Sequence, residues 1–223
     1  MDIKSRVKKP SLLYRVMMTA KQLRDYLLPV RGKNNRLSIH GCIIGLKKRI
    51  VGNDNFVLIK DSTLVNCEIR INGNGNRLMV EEGCHIGKGC SFWLEGNNNT
   101  IVIGRNTSMN VFCHFNAQEH NTKILIGEDC MFSYQITVRT SDSHPIYDQD
   151  GVRINPAKDV ELGNHIWIAP HSVIMKGAKV GDGCIVGSHT MVNKTIPKNC
   201  LIVGKPAKIV RENVHWTRED IIK

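Results

Sequence analysis

Between residues 162 and 196 an aliphatic side chain stands at every sixth position: Leu162, Ile168, Ile174, Val180, Val186 and Val192. Four places further on in each unit come Ile166, Ser172, Ala178, Cys184, Thr190 and Ile196, mostly small, with polar residues and glycines between. An amphipathic helix repeats at about 3.6 and a half-buried strand at about 2, so neither explains a period of six. Short flat strands joined by tight turns do, with the aliphatic residue pointing inward and glycine easing the corner. One such unit cannot bury its own apolar side, so successive units must stack into a solenoid.

Upstream, from about 37 to 125, the same pattern persists in a looser form. Gly52-Asn-Asp-Asn55, Gly73-Asn-Gly-Asn76 and Gly96-Asn-Asn-Asn99 recur 21 and then 23 residues apart, and Asn121 is read as the next member, 22 after Asn99. Each coil there carries extra residues at one corner, and asparagine suits such a corner because it tolerates left-handed backbone and bonds its own kind. Strict spacing returns at Ile126, Phe132 and Val138. It then breaks over 139–160, a polar, turn-rich excursion with no coil period. An interruption of a rigid scaffold is where a functional loop is expected.

The two ends differ from the middle. Residues 1–32 read as a basic segment with a helix beginning near Ser11 and ending before Pro29, apolar at Leu12, Val16, Leu23 and Leu27 and charged at Lys8, Lys9, Lys21 and Arg24. It fits either a cap on the open solenoid end or a segment lying on an anionic membrane. The solenoid domain is placed at 33–211, and residues 212–223 are expected to be a cap or tail, with a short helix over the open edge.

Charge adds one constraint. Lysine and arginine number 31 against 20 acidic residues, a formal charge of +11, which favours polyanionic partners such as nucleic acid, an acidic membrane surface or a phosphate-rich cofactor. Aromatic content of 5% and the lack of a recognisable nucleic-acid-binding motif make nucleic acid the weakest of these. The eight cysteines form no CxxC pair and no signal peptide precedes them, so they are read as small buried residues in a reducing cytosol. The expected location is cytoplasmic, and peripheral at the inner membrane face under the membrane reading of the N-terminal segment.

The hexads, together with Leu162-Gly-Asn-His-Ile-Trp-Ile-Ala, Val203-Gly-Lys-Pro-Ala-Lys and Ser141-Asp-Ser-His-Pro-Ile, resemble the hexapeptide-repeat acyltransferases. Within them the similarity is to the galactoside and maltose O-acetyltransferases and the polysaccharide O-acetyltransferases. That resemblance implies an all-β, left-handed parallel β-helix of triangular section with three hexads to a turn. It also implies a homotrimer with the active site between two subunits, acetyl-coenzyme A as co-substrate, a sugar or glycan acceptor and no metal.

Acyl transfer to a hydroxyl needs a group that takes the proton as the new bond forms, and a loop histidine suits that near neutrality. His144, in the motif that supplies the general base of the sugar acetyltransferases, is the expected catalytic residue. Asp142 is expected to orient it or to bind a sugar hydroxyl, and Asn116 resembles an acceptor-binding asparagine. Trp167 is expected to project outward at a corner and to offer an aromatic face to a sugar or the cofactor channel. The resemblance places Ala169 and Ser188 along the pantetheine arm and Lys194, Lys208 and Arg211 at phosphate or adenine. Pro170 departs from the family by removing an amide there.

Three other readings are open. An amino sugar acceptor gives N-acetylation, and a non-catalytic scaffold is the alternative of another class. A zinc site built from His165, His171 and His189 is disfavoured because His165 and His171 fall on different corners.

Overall fold

The computed structural model describes residues 29–219 and residue 221; the N-terminal helix expected before Pro29 lies outside the described residues. What is described is an all-β parallel solenoid with no helix. One face is an eight-stranded sheet in the order Val30–Arg31, Lys47–Val51, Glu68–Asn72, Ser91–Asn97, His114–His120, Thr137–Arg139, Val173–Ile174 and Met191–Val192. The second face runs through Phe56–Val65, Arg77–Val80, Thr100–Ile103, Lys123–Ile126, Val160–Leu162, Lys179–Val180 and Thr195–Ile196. The third takes His85–Ile86, Ser108–Met109, Met131–Phe132, Trp167–Ile168, Ile185–Val186 and Leu201–Val203. Phe56–Val65 turns the corner between the second and third faces, pairing with Arg77–Val80 at one end and His85–Ile86 at the other, and so joins them into one sheet.

Every pairing along the stack is parallel until the last, where Lys208–Arg211 folds back antiparallel on Leu201–Val203 and covers the exposed edge. The coil length is read directly from the register. Lys47 pairs with Glu68, Glu68 with Ser91, Ser91 with His114 and His114 with Thr137, which is 21 and then 23 residues per coil. Thr137 pairs with Val173, 36 further on, because the excursion intervenes. Val173 then pairs with Met191, the 18 of three plain hexads.

The hexad reading holds side chain by side chain. Leu162, Ile168, Ile174, Val180, Val186 and Val192 are all buried, and so are the small positions Ile166, Ser172, Ala178, Cys184, Thr190 and Ile196. Phe92, Phe115 and Phe132 add aromatic layers, with centroids 5.4 Å and 5.5 Å apart. Seven of the cysteines are buried and reduced and Cys42 is exposed. At the corner before the third face glycine is required by proximity: a Cβ on Gly127 would lie 2.4 Å from the Gly163 carbonyl oxygen of the next coil.

Two boundaries move. The first strand, Val30–Arg31, already pairs with Ile50 and Val51, so the solenoid begins inside the segment expected to end at 32. Residues 212–219 form an extended strap and not a helix. Trp216 stacks on His165 at 4.1 Å and donates its Nε1 hydrogen to the His165 carbonyl, while Arg218 reaches Asp129 at 2.7 Å and the Cys130 carbonyl at 3.0 Å. Those long-range contacts compensate the chain for forgoing helical hydrogen bonds. Among the described residues no helix is long and apolar enough to cross a membrane.

Candidate active site

The site is positioned by the corner between the first and second faces, where the extra residues of the wide coils sit. Asn55, Asn76 and Asn99 are buried there, each presenting Oδ1 to the backbone amide one coil on: Asn55 to Asn76 at 2.9 Å, Asn76 to Asn99 at 3.0 Å and Asn99 to Thr122 at 3.0 Å. The inner ladder therefore passes to Thr122, whereas Asn121 sits outside it, bonded to Asn98 at 3.3 Å. The Thr122 hydroxyl meets that of Thr140 at 3.1 Å, and Thr140 in turn accepts from the Gln118 amide at 2.9 Å. Such a stack satisfies buried amides that would otherwise cost about 1–3 kcal/mol each. The excursion leaves the solenoid from its last rung.

Two clamps hold the excursion. Arg153 forks onto both carboxylate oxygens of Glu119, at 2.7 and 2.8 Å, and the Ser141 hydroxyl donates to the same carboxylate at 2.7 Å. The Arg153 hydrogen bonds, seconded by Ser141, hold the Glu119 carboxyl down at about 2. Asn155, also buried, donates from Nδ2 to Asp142 Oδ2 at 3.0 Å and to the His144 carbonyl at 2.9 Å, and accepts from the Ile146 amide at 2.7 Å. Lys176, from the next coil, meets Asp142 Oδ2 at 2.6 Å and the Asn155 carbonyl at 2.9 Å. The Lys176 hydrogen bond is the main reason the Asp142 carboxyl titrates below its ordinary range.

His144 thus has a fixed backbone and an exposed imidazole that makes no hydrogen bond to the described residues. Asp142 makes no hydrogen bond to that ring among the described residues. Its carboxylate faces Lys176 and Asn155, so it braces the loop that carries His144.

Beside the loop, Ser91, Trp93, His114, Asn116, Arg139 and Ser143 line a pocket of about 340 Å³ on the first face. Arg139 bonds the Ser141 carbonyl at 2.6 Å and the Ser143 hydroxyl at 2.8 Å, and Ser143 donates to Gln118 at 2.8 Å, which ties the pocket wall to the residue before His144. Asn116 is therefore brought to the loop. Its Oδ1 and the Trp93 Nε1 are both buried and make no hydrogen bond among the described residues. Trp93 and Arg139 were not singled out in the sequence, yet outward positions one coil apart, 116 minus 23 and 116 plus 23, lead straight to them.

Trp167 lies elsewhere. It is on the third face, paired with Met131 and Ile185 and packed 6.1 Å from Trp216, so one chain does not bring it to the excursion. Ala169 and Ser188 sit at the corner between the third and first faces, one coil apart. The Ala169 amide donates to the Val186 carbonyl at 2.8 Å and its carbonyl accepts from Ser172 at 2.9 Å, which leaves a carbonyl lone pair and no amide for an arm. Ser188 is exposed there. Lys208 and Arg211 are exposed on the closing strand beside Val203 and Leu201, whereas Lys194 stands on the opposite corner, between the first and second faces. The geometry joins Ala169, Ser188 and Lys208 into one edge and leaves Lys194 apart.

The three histidines of the zinc reading have structural explanations. His165, His171 and His189 each take a corner φ of 52–60°, in the left-handed region. His171 and His189 stack at 4.6 Å, and His165 bonds Asp129 at 2.6 Å. Burial pushes the Asp129 carboxyl up, but hydrogen bonds from His165 and Arg218 outweigh it and the net shift is downward. Among the described residues no three histidine, cysteine or carboxylate side chains gather in a metal-binding group.

Residues 159–194 match the bacterial transferase hexapeptide (six repeats) family. A polysialic acid O-acetyltransferase of Neisseria meningitidis is 35% identical over 195 residues, which is 85% of this chain and 88% of that protein. One of Escherichia coli O1:K1 is 37% identical over 93 residues, 41% of this chain, and the match spans 30% of that longer protein. Among solved structures, the polysialic acid O-acetyltransferase OatWY superposes with a TM-score of 0.79 at 33% identity, covering 85% of this chain and 93% of that one. The polySia-specific acetyltransferase NeuO superposes with a TM-score of 0.75 at 30% identity, covering 86% and 82%. Identity of this degree along nearly all of the Neisseria protein, on a solenoid of the same build, makes the chain a member of the hexapeptide-repeat acetyltransferase family.

Proposed function

We propose that this enzyme moves an acetyl group from acetyl-coenzyme A to a hydroxyl of an acidic polysaccharide of the polysialic acid class. The observation that carries the reading is the placement of His144, on a braced excursion against a polar pocket, in a chain 35% identical to a polysialic acid O-acetyltransferase over 85% of its length. Its exposed imidazole takes the proton from the acceptor hydroxyl as that oxygen bonds the acetyl carbon; the thioester C–S bond then breaks and coenzyme A leaves as its thiol, taking that proton back from the imidazolium. Acetyl-coenzyme A supplies the activated thioester. Asn116 and Arg139 hold the acceptor in the pocket, and Asn155 and Lys176 fix the loop so that the hydroxyl and imidazole meet in register.

The donor side is assigned to the edge of Ala169, Ser188 and Lys208, with Arg211 on the same closing strand. This edge and the His144 loop lie at different corners of one solenoid, which supports a site completed by a second copy in the trimer expected for the family. A surface for that contact is available: Ile146, Tyr147, Val152 and Ile154, on the two arms of the hairpin within the excursion, are 52–59% exposed. Trp167, on the third face, then belongs to the wall that the neighbour contributes.

The test is to incubate the purified full chain with acetyl-coenzyme A and polysialic acid and to measure alkali-labile acetyl ester on the recovered polymer. Ester formation dependent on both substrates is expected. Thiol release at the same rate with and without polymer, and no ester on it, would overturn the assignment.

A further inference from the structure

The pocket beside His144 does not end at Ser91. Trp93, Ser91 and His114 also line a second cavity of about 490 Å³ that continues towards the N-terminal coils, with Lys47, Lys88, Glu68, Asn66 and Phe112 in its wall. Together the two form one trough along the solenoid axis on the first face. Lys47, Glu68, Ser91, His114 and Thr137 are successive partners in the register. At about 4.8 Å per coil those four steps give a trough about 19 Å long.

Its charge is one-sided. Lys47 and Lys88 are exposed, and neither has a carboxylate partner among the described residues. Arg139 closes the end next to His144, and the only carboxylate among the trough's lining residues is Glu68. The adjacent outward row is Arg49, Arg70, Trp93, Asn116 and Arg139, one residue per coil. Arg70 lies 4.9 Å over the Trp93 ring and 3.8 Å from Glu95, itself bonded to Gln118 at 2.8 Å. Cations distributed over successive coils around an aromatic face match a repeating carboxylated sugar chain. A compact ligand would leave most of them unused.

We infer that this trough is an acceptor track: it binds several consecutive sugars of one acidic polysaccharide chain along the axis and feeds one unit to His144. The inference rests on the polysaccharide reading above and adds to it that recognition extends to Lys88 and Trp93, two coils from the seat of the His144 loop, and to Arg70 and Lys47, three and four coils from it.

The test combines binding and kinetics on the full chain. Intrinsic tryptophan fluorescence is titrated with long polysialic acid, a sialic acid trimer, neutral dextran and single-stranded DNA, at low and raised salt, for the wild type and an Arg70→Gln/Lys88→Gln variant. The wild type is expected to bind the long polymer at least tenfold more tightly than the trimer, less tightly in raised salt, and not to bind dextran. The double variant is expected to bind the polymer roughly tenfold more weakly and to show a polymer KM roughly tenfold higher. Its KM for acetyl-coenzyme A should move less than twofold.

Unchanged polymer affinity in the variant would overturn the track, and so would DNA binding as tight as that of the polymer. A variant that changes oligomeric state by light scattering would also overturn it, by identifying the trough as a subunit contact. If no acetyl transfer is seen but the variant still loses polymer affinity, the track stands and the catalytic reading falls. Transfer with an unchanged polymer KM removes the track alone.

Discussion

The coils before the excursion and those after it solve the same stacking problem with different corners. Before it, 20–23 residues make a turn and the first-face strands from Lys47–Val51 to His114–His120 run five to seven residues. After it, 18 suffice and the strands shrink to two, as in Val173–Ile174 and Met191–Val192. A wide corner buries whole amides, which is tolerable because Asn55, Asn76, Asn99 and Thr122 satisfy one another across coils. The narrow coil that follows buries only Ala178 at that corner, and its small polar residues, Ser172 and Thr190, sit instead between the third and first faces, bonded to nearby backbone. The difference has a functional edge. Wide coils expose several rows of side chains on which a polymer can lie, and narrow coils offer a thin edge suited to a single arm. His144 sits at the seam.

The largest expected effect falls at that seam. His144→Ala should lower kcat by about two orders of magnitude or more, as loss of a general base does, while the circular dichroism of both coil types and the affinity for acetyl-coenzyme A stay unchanged. Turnover within a few-fold of wild type would remove His144 from the chemistry.

Next comes the ladder itself. Asn99→Leu strips partners from the Thr122 amide and hydroxyl and from the Glu119 carbonyl, at about 1–3 kcal/mol for each buried group left unmade. Thermal unfolding should fall by about 2–4 °C per kcal/mol lost. Ser172→Ala in the narrow coils, which removes one hydroxyl, should cost less. An equal drop for the two variants would break the contrast between corners.

The smallest effect is the acid response of the Arg153–Glu119 clamp. The Glu119 carboxyl lies at about 2 when folded against an ordinary 4.5, so its contribution is fully present above about 4.5 and is lost as pH falls towards 2. Arg153→Gln should therefore be destabilised by a constant amount from pH 7 to 5, with the gap to wild type narrowing below pH 4.5. A gap that is flat down to pH 3 would show that the ion pair does not carry the clamp.

How much of this was legible depended on whether a contact has a period. Leu162 to Val192 were readable because every inward position repeats at six. The asparagine corner was readable in outline, but Asn121 was taken for the rung that Thr122 occupies, since spacing alone does not say which of two adjacent polar residues turns inward. Arg153, Asn155 and Glu119 left no trace because each pairs across 34, 13 or 22 residues with an aperiodic loop on at least one side of the contact. The C-terminal strap was misread as a helix for a similar reason: Trp216 meets His165 across 51 residues. Arg70, Trp93 and Arg139 could have been found, because they stand at coil intervals from Asn116.

The central claim is a division of labour, with acceptor on the wide coils and donor on the narrow ones. Two-substrate steady-state kinetics tests it most directly, comparing Arg139→Gln with Lys208→Gln/Arg211→Gln. The account predicts a crossed result: the first variant raises the KM for polymer about tenfold and leaves that for acetyl-coenzyme A nearly constant, and the second does the reverse. Both constants moving together in both variants, or neither moving, would contradict it.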